Sequence, residues 1–210
     1  MHFLNKLSST NLDSETYRLA ILASGNGSNA ENIIAYFSDA ADVTVVAVYT
    51  NNPAAGVIER CKKWNVPSRI IPPASVADGP SMLELFLQEN ITHIILAGYL
   101  KLIPAAVVRH YPDRIINIHP SLLPLYGGKG MYGEKVHRAV HAAGERTSGI
   151  TIHEVNEDYD KGRVLLQKTV ALTADDSPAD IAAKIHVLEM QWFPRIIDSW
   201  LHRPHSVRAV

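Results

Sequence analysis

Residues 17–37 read YRLAILASGNGSNAENIIAYF, and how this stretch folds decides how the rest is arranged. YRLAILA (17–23) is apolar and bounded by a glycine loop, the signature of a buried strand. SGNGSNA turns the chain, and apolar residues then recur at helical spacing through about Phe37. The pattern repeats. VTVVAVYT (43–50) is a second strand, apolar enough to be covered on both faces, followed by a helix in AAGVIERCKKW (54–64). SRIIP is a short third strand, SMLELFLQEN a helix, and THIILAG (92–98) a fourth strand. A short helix near 104–110 leads into RIINIH, and GEKVHRAVHAAG (133–144) is a helix closed by Gly144. GITIHEV and RVLLQKTVAL form a late strand pair joined by NEDYDKG, and an amphipathic helix over about 178–201 closes the chain.

Strand alternating with helix implies α/β architecture: a single open, mostly parallel twisted sheet, Rossmann-like, with helices on both faces. The late strand pair extends it antiparallel. Residues 1–16 are expected to form a flexible N-terminal extension and 17–210 one domain, a size that buries a sizeable core. In such sheets ligands bind beyond the carboxyl ends of the strands. SGNGSN and the NIHPS of RIINIHPSLLPLYGG (114–128) both fall there.

Composition narrows the function. Apolar residues make up 47% of the chain and the formal net charge is −1, which argues against disorder and against nucleic acid or anionic lipid as partners. A single cysteine, Cys61, rules out an intramolecular disulfide and fits a reducing compartment. With no long apolar run and no secretory leader, a cytoplasmic location is expected.

Gly25 and Gly27 let a ligand approach the main chain closely, and the amides of Gly27, Ser28 and Asn29 open the next helix, a favourable place for a phosphate. The plainer reading is a glycine turn capped by Ser28 or Asn29. Ala30 stands where a dinucleotide fingerprint has its third glycine, and the lysine of a P-loop is missing.

Asn117 and His119, two apart on a strand, share a face. An amide N–H beside an imidazole suits a reaction through an oxyanion, such as acyl transfer. Pro120 and Pro124 stiffen the chain behind them. Asp158 and Asp160, in the acidic loop 155–162, are both candidates to sit beside His119 and favour its charged form. His137 and His141 have zinc-compatible spacing but no H-E-x-x-H glutamate, so a part-exposed helix face is expected there and no metal. His153 shares a face with Thr151 and is read as a packed, hydrogen-bonded side chain, with a place beside His119 as the alternative. Trp192 and Phe193 are read as helix packing.

SGNGSN, AGY (97–99), INIHPSLLP and GITIHEVNEDYDKG together resemble the folate-dependent formyltransferase family, in consistent order over roughly residues 17–201. SGNGSN is most similar to the branch that acts on glycinamide ribonucleotide in purine synthesis. The resemblance implies formyl transfer from 10-formyltetrahydrofolate, as co-substrate, to the amine of that nucleotide, by a monomer or weak homodimer. It matches Asn117, His119 and Asp160 to the catalytic residues, and Gly27, Ser28, Asn29, His186 and Glu189 to the nucleotide site. It matches Leu100, Lys101, Leu102, Ile103, Asn117 and Asn156, Glu157, Asp158, Tyr159, Asp160 to the folate site. Lys101 stands where some relatives carry arginine, GGKGMYGEKVH is longer than in familiar bacterial relatives, and residues 73–82 look shorter. The tRNA-directed branch of the family carries a further basic domain, which the near-zero charge argues against; a noncatalytic nucleotide-binding module would leave the Asn117, His119 and Asp160 set without purpose.

Overall fold

The computed structural model describes residues 16–203, so residues 1–15 of the expected extension lie outside the described residues. β1 (Tyr17–Leu22), β2 (Val43–Thr50), β3 (Ser68–Ile70), β4 (His93–Leu96), β5 (Ile115–His119), β6 (Thr147–Glu154) and β7 (Val164–Ala171) form one sheet in the order β3-β2-β1-β4-β5-β6-β7. β3 through β5 pair parallel; β5, β6 and β7 pair antiparallel. The alternation in the sequence is therefore realised as expected, late pair included.

Side-chain alternation along β1 divides the core. Leu19 and Ile21 face one layer, with α1 (Ser28–Tyr36), α2 (Val57–Lys63), α6 (Glu134–Ala142) and α7 (Pro178–Leu201). Ala20 and Leu22 face the other, with α4 (Gly79–Gln88) and α5 (Ala105–His110). All four β1 side chains are fully buried, and each large aliphatic so buried contributes about 1.5–3 kcal/mol. α2 begins later than the sequence implies, because Asn52 Oδ1 accepts from the Ala54 amide and holds residues 52–55 in a turn. The segment 73–77, unassigned in the sequence, forms a short helix, α3 (Pro73–Ala77), opened by a proline at its first position. α7 starts with a capping box: Ser177 Oγ accepts from the Asp180 amide at 3.2 Å, and Asp180 accepts from the Ser177 amide at 2.9 Å.

After β1 the chain winds toward β3, then returns to lay β4 on the other side of β1. That reversal opens a crevice beyond the carboxyl ends of β1 and β4. The Ser24 amide donates to Gly98 O at 3.0 Å, and Ser24 Oγ accepts from the Leu100 amide at 3.0 Å. The segments after both strands are thus tied together at its floor.

Candidate active site

A cleft of about 990 Å³ fills this crevice. One end is the glycine loop. Gly27 is the N-cap of α1 at φ 78°, ψ 23°, and no side chain caps the helix, so neither Ser28 nor Asn29 plays the capping part of the plainer sequence reading. A Cβ on Gly27 would lie 2.3 Å from Val57 Cγ2, so the position needs glycine on both counts. The first-turn amides of α1 remain for an anion. Arg60 braces the loop from α2: its Nε donates to Asn26 O at 2.8 Å and its Nη2 to Asn26 Oδ1 at 3.2 Å, while Nη1 pairs with Glu31.

Asn29 Nδ2 donates to Glu189 Oε2 at 3.0 Å, joining the loop to α7 across 160 residues of sequence. The Oδ1 of Asn29 is buried with no partner. His186 Nδ1 stands 3.4 Å from the same Glu189 oxygen, and that contact raises the His186 pKa above the ordinary imidazole value. Gly27, Ser28, Asn29, His186 and Glu189 therefore lie on one wall of one cleft.

At the centre stand Asn117 and His119 on β5. The turn behind them is held as well as stiff. Thr151 Oγ1 on β6 donates to Ser121 O at 2.6 Å and accepts from the Leu123 amide at 3.0 Å, and Ser121 Oγ donates to Leu125 O at 2.6 Å. His119 Nε2 donates to Tyr126 O at 2.9 Å, and its Nδ1 is 3.7 Å from Asp160 Oδ2. That carboxyl oxygen accepts from the Gly128 amide at 2.8 Å. Tyr126 and Asp160 both adopt left-handed backbone, at φ 55° and 53°. Such conformations cost on the order of 1–3 kcal/mol and gather at functional sites.

Of the two aspartates left open by the residues alone, Asp160 faces His119; Asp158 pairs with Lys161 at 3.6 Å. The charge balance differs from the sequence expectation. Burial pushes the His119 imidazole below its ordinary value, and the opposing pull of Asp160 is smaller, so the free protein favours neutral His119. Burial pushes the Asp160 carboxyl up, but its polar neighbours, the donating Gly128 amide among them, outweigh that and hold it below the ordinary value, so it stays ionised.

Leu100, Lys101, Leu102 and Ile103 line the same cleft, with Leu100 and Leu102 unusually exposed for leucines at 43% and 41%. Asp158, Tyr159 and Asp160 also line it. Asn156 and Glu157 stand outside the lining: Asn156 Oδ1 accepts from the Asp158 amide at 3.1 Å, and Glu157 pairs with Arg109 at 3.2 Å.

Two further histidines reach the site, His137 against expectation. His137, expected on a part-exposed face, is buried, lines the cleft, and has an enclosed Nδ1 without a partner. His141 turns away to Asp176 O at 3.1 Å. His153 is packed and hydrogen-bonded as read, but its partner is Asn117, at 3.1 Å. Trp192 packs under Lys168 Nζ, 4.0 Å from the ring centre, and Phe193 is in the core.

Residues 17–197 match the family described as formyl transferase. The chain belongs to the formyl transferase family. It is 42% identical over 174 residues to the chloroplastic phosphoribosylglycinamide formyltransferase of Arabidopsis thaliana, a match that covers 80% of this chain and 60% of that one. It is 34% identical to phosphoribosylglycinamide formyltransferase of Bacillus subtilis, over 88% of this chain and 94% of that one. The crystal structure of phosphoribosylglycinamide formyltransferase from Bacillus halodurans superposes with a TM-score of 0.80 at 30% identity, over 89% of this chain and 96% of that one. The formyl transferase sheet and its late antiparallel extension are thus common to this chain and to solved relatives. Among the described residues no helix is long and apolar enough to cross a membrane.

Proposed function

We propose that the chain transfers the formyl group of 10-formyltetrahydrofolate to the amine of glycinamide ribonucleotide, a step of purine biosynthesis. The observation that carries the reading is the junction of two half-sites. A helix-terminal anion site joined to Glu189 by Asn29 meets an apolar wall of Leu100, Leu102 and Tyr159, with Asn117, His119 and Asp160 between them. The first half suits a phosphorylated ribose and the second a flat folate. The similarity to enzymes named for this reaction supports it.

In this reading the neutral amine attacks the formyl carbon. A C–N bond forms, and the carbonyl electron pair moves onto oxygen, where an Asn117 N–H receives it. The attacking nitrogen then releases one proton, the folate nitrogen gains one, and the bond between that nitrogen and the formyl carbon breaks. His119, neutral at the outset and facing Asp160, accepts the proton and returns it. The imidazolium formed in passing is stabilised by the Asp160 carboxylate. Gly27, Ser28 and Asn29 hold the phosphate, and Glu189 with His186 the ribose. Holding both reactants side by side supplies a large part of the acceleration. The buried free thiol of Cys61 and the aqueous substrates suit the cytoplasm.

The test is spectrophotometric release of the folate product from a 10-formyl donor, with and without glycinamide ribonucleotide, for wild type and His119→Ala. Acceptor-dependent release that falls at least about 10²-fold in the variant is expected. Donor breakdown independent of acceptor would replace transfer with hydrolysis.

A further inference from the structure

We propose that His153 is a positioning residue that fixes which way the Asn117 carboxamide faces, and so ensures that a donor meets the oxyanion. The proposal rests on the oxyanion role given to Asn117 above.

β5 and β6 run antiparallel with Asn117 directly opposite His153, so both side chains project from one face of the sheet. The register of β6 against β7 shifts between Ile152 and His153. Such an irregularity re-aims the side chain that follows it. The His153 ring is 2% exposed and reaches two partners. Its Nδ1 is 2.8 Å from Glu154 O, and its Nε2 is 3.1 Å from Asn117 Nδ2.

A backbone carbonyl only accepts, so Nδ1 must carry the proton. In the neutral ring Nε2 is then a lone pair, which can only accept. A carboxamide seen as two similar arms is thereby resolved: the nitrogen of Asn117, not its oxygen, must turn toward His153. That nitrogen has a second N–H, which remains for the cleft that Asn117 lines. If the amide turned over, its oxygen would take the place of that donor and repel an oxyanion.

The carbonyl that sets the tautomer is itself held. The Glu154 amide donates to Arg163 O at 2.9 Å. A Cβ on Gly162 would fall 1.6 Å from Glu154 O, so the loop leading to β7 closes on that carbonyl only because residue 162 is glycine. Asp160 Oδ1, 3.6 Å from His153 Nε2, is the competing partner: a proton on Nε2 would turn the ring to Asp160 and release Asn117.

Two measurements test this. In the wild-type protein, nitrogen-15 correlation spectra of the His153 ring at pH 7.5 should show a neutral ring protonated at Nδ1. A proton on Nε2, alone or as well, would overturn the proposal, and this readout stands even if the assigned reaction is wrong. In turnover, His153→Ala should lower kcat by about 10²-fold with both KM values nearly unchanged, the size of losing one oxyanion donor. His153→Ala with Asn117→Ala should be no slower than Asn117→Ala alone, and His153→Gln, which restores an acceptor, should recover part of the rate. Losses that multiply in the double variant would mean that His153 acts apart from Asn117 and would refute it.

Discussion

At the scale of single residues, the pair His119 and Asp160 shows how two opposed effects set one proton affinity. Burial lowers the imidazole, and the carboxylate 3.7 Å away raises it, with burial the larger. Removing the carboxylate must therefore lower it further. We expect the acid limb of kcat/KM to lie below the ordinary imidazole value of 6.5 in wild type. In Asp160→Asn it should move to still lower pH while kcat falls, because the imidazolium formed in turnover loses its counter-charge. A limb that moves upward would show that Asp160 does not act on His119 by charge. Asn117 and His119 were legible in the sequence, because two polar residues at strand spacing in an isoleucine run have no packing reason to be there. His153 and His137 were not. His137 reads as part of a mostly polar helix and His153 as a packed strand histidine; only the pairing of β6 on β5 gives His153 its partner Asn117, and only the packing of the folded chain buries His137 against the cleft.

At the scale of elements, strand and helix order followed from periodicity and glycine punctuation, and the elements' ends followed less well. α2 starts late because one asparagine side chain captures an amide, an interaction with no periodic signature. The seating of the HPSLL turn was also hidden, since it depends on a threonine of a strand 30 residues later. Thr151 is fully buried, and its hydroxyl serves Ser121 O, the Leu123 amide and Gln167 Nε2. Thr151→Val keeps the shape and strands Ser121 O and the Leu123 amide, at about 1–3 kcal/mol for each one left unsatisfied, while the exposed Gln167 Nε2 keeps Leu123 O at 2.8 Å. We expect a loss of about 2–4 kcal/mol in denaturant unfolding, together with a fall in kcat as the β5 end loses its seat. Full stability in Thr151→Val would mean that the prolines alone hold the turn.

At the scale of the whole molecule, Glu154 ties the antiparallel edge of the sheet to the last helix. Its carboxylate accepts from Arg163 Nε at 2.8 Å and Trp200 Nε1 at 3.0 Å, and pairs with Arg203, which also donates to Asp113 O at 2.8 Å. Burial pushes this carboxyl up, but the three donors outweigh it and hold it at about 2, against an ordinary 4.5. A depressed carboxyl stabilises the fold fully above its unfolded value and loses that contribution as pH falls through the folded one. The gap corresponds to about 3 kcal/mol, present at neutral pH and lost between pH 4.5 and about 2. Glu154→Gln should lower stability at pH 7 by about that much and flatten the acid limb of thermal unfolding. An unchanged pH profile would show that the network is not coupled to folding.

The reaction proposed for this site passes formyl directly to a substrate amine between Asn117 and His119. It is tested most directly by supplying a donor labelled with carbon-13 at the formyl group, together with glycinamide ribonucleotide, and following the label by NMR. Direct transfer predicts label on the acceptor nitrogen in step with release of deformylated folate, and a rate lower by about 10²–10³ in Asn117→Ala. Label appearing as free formate, or undiminished transfer in that variant, would contradict it.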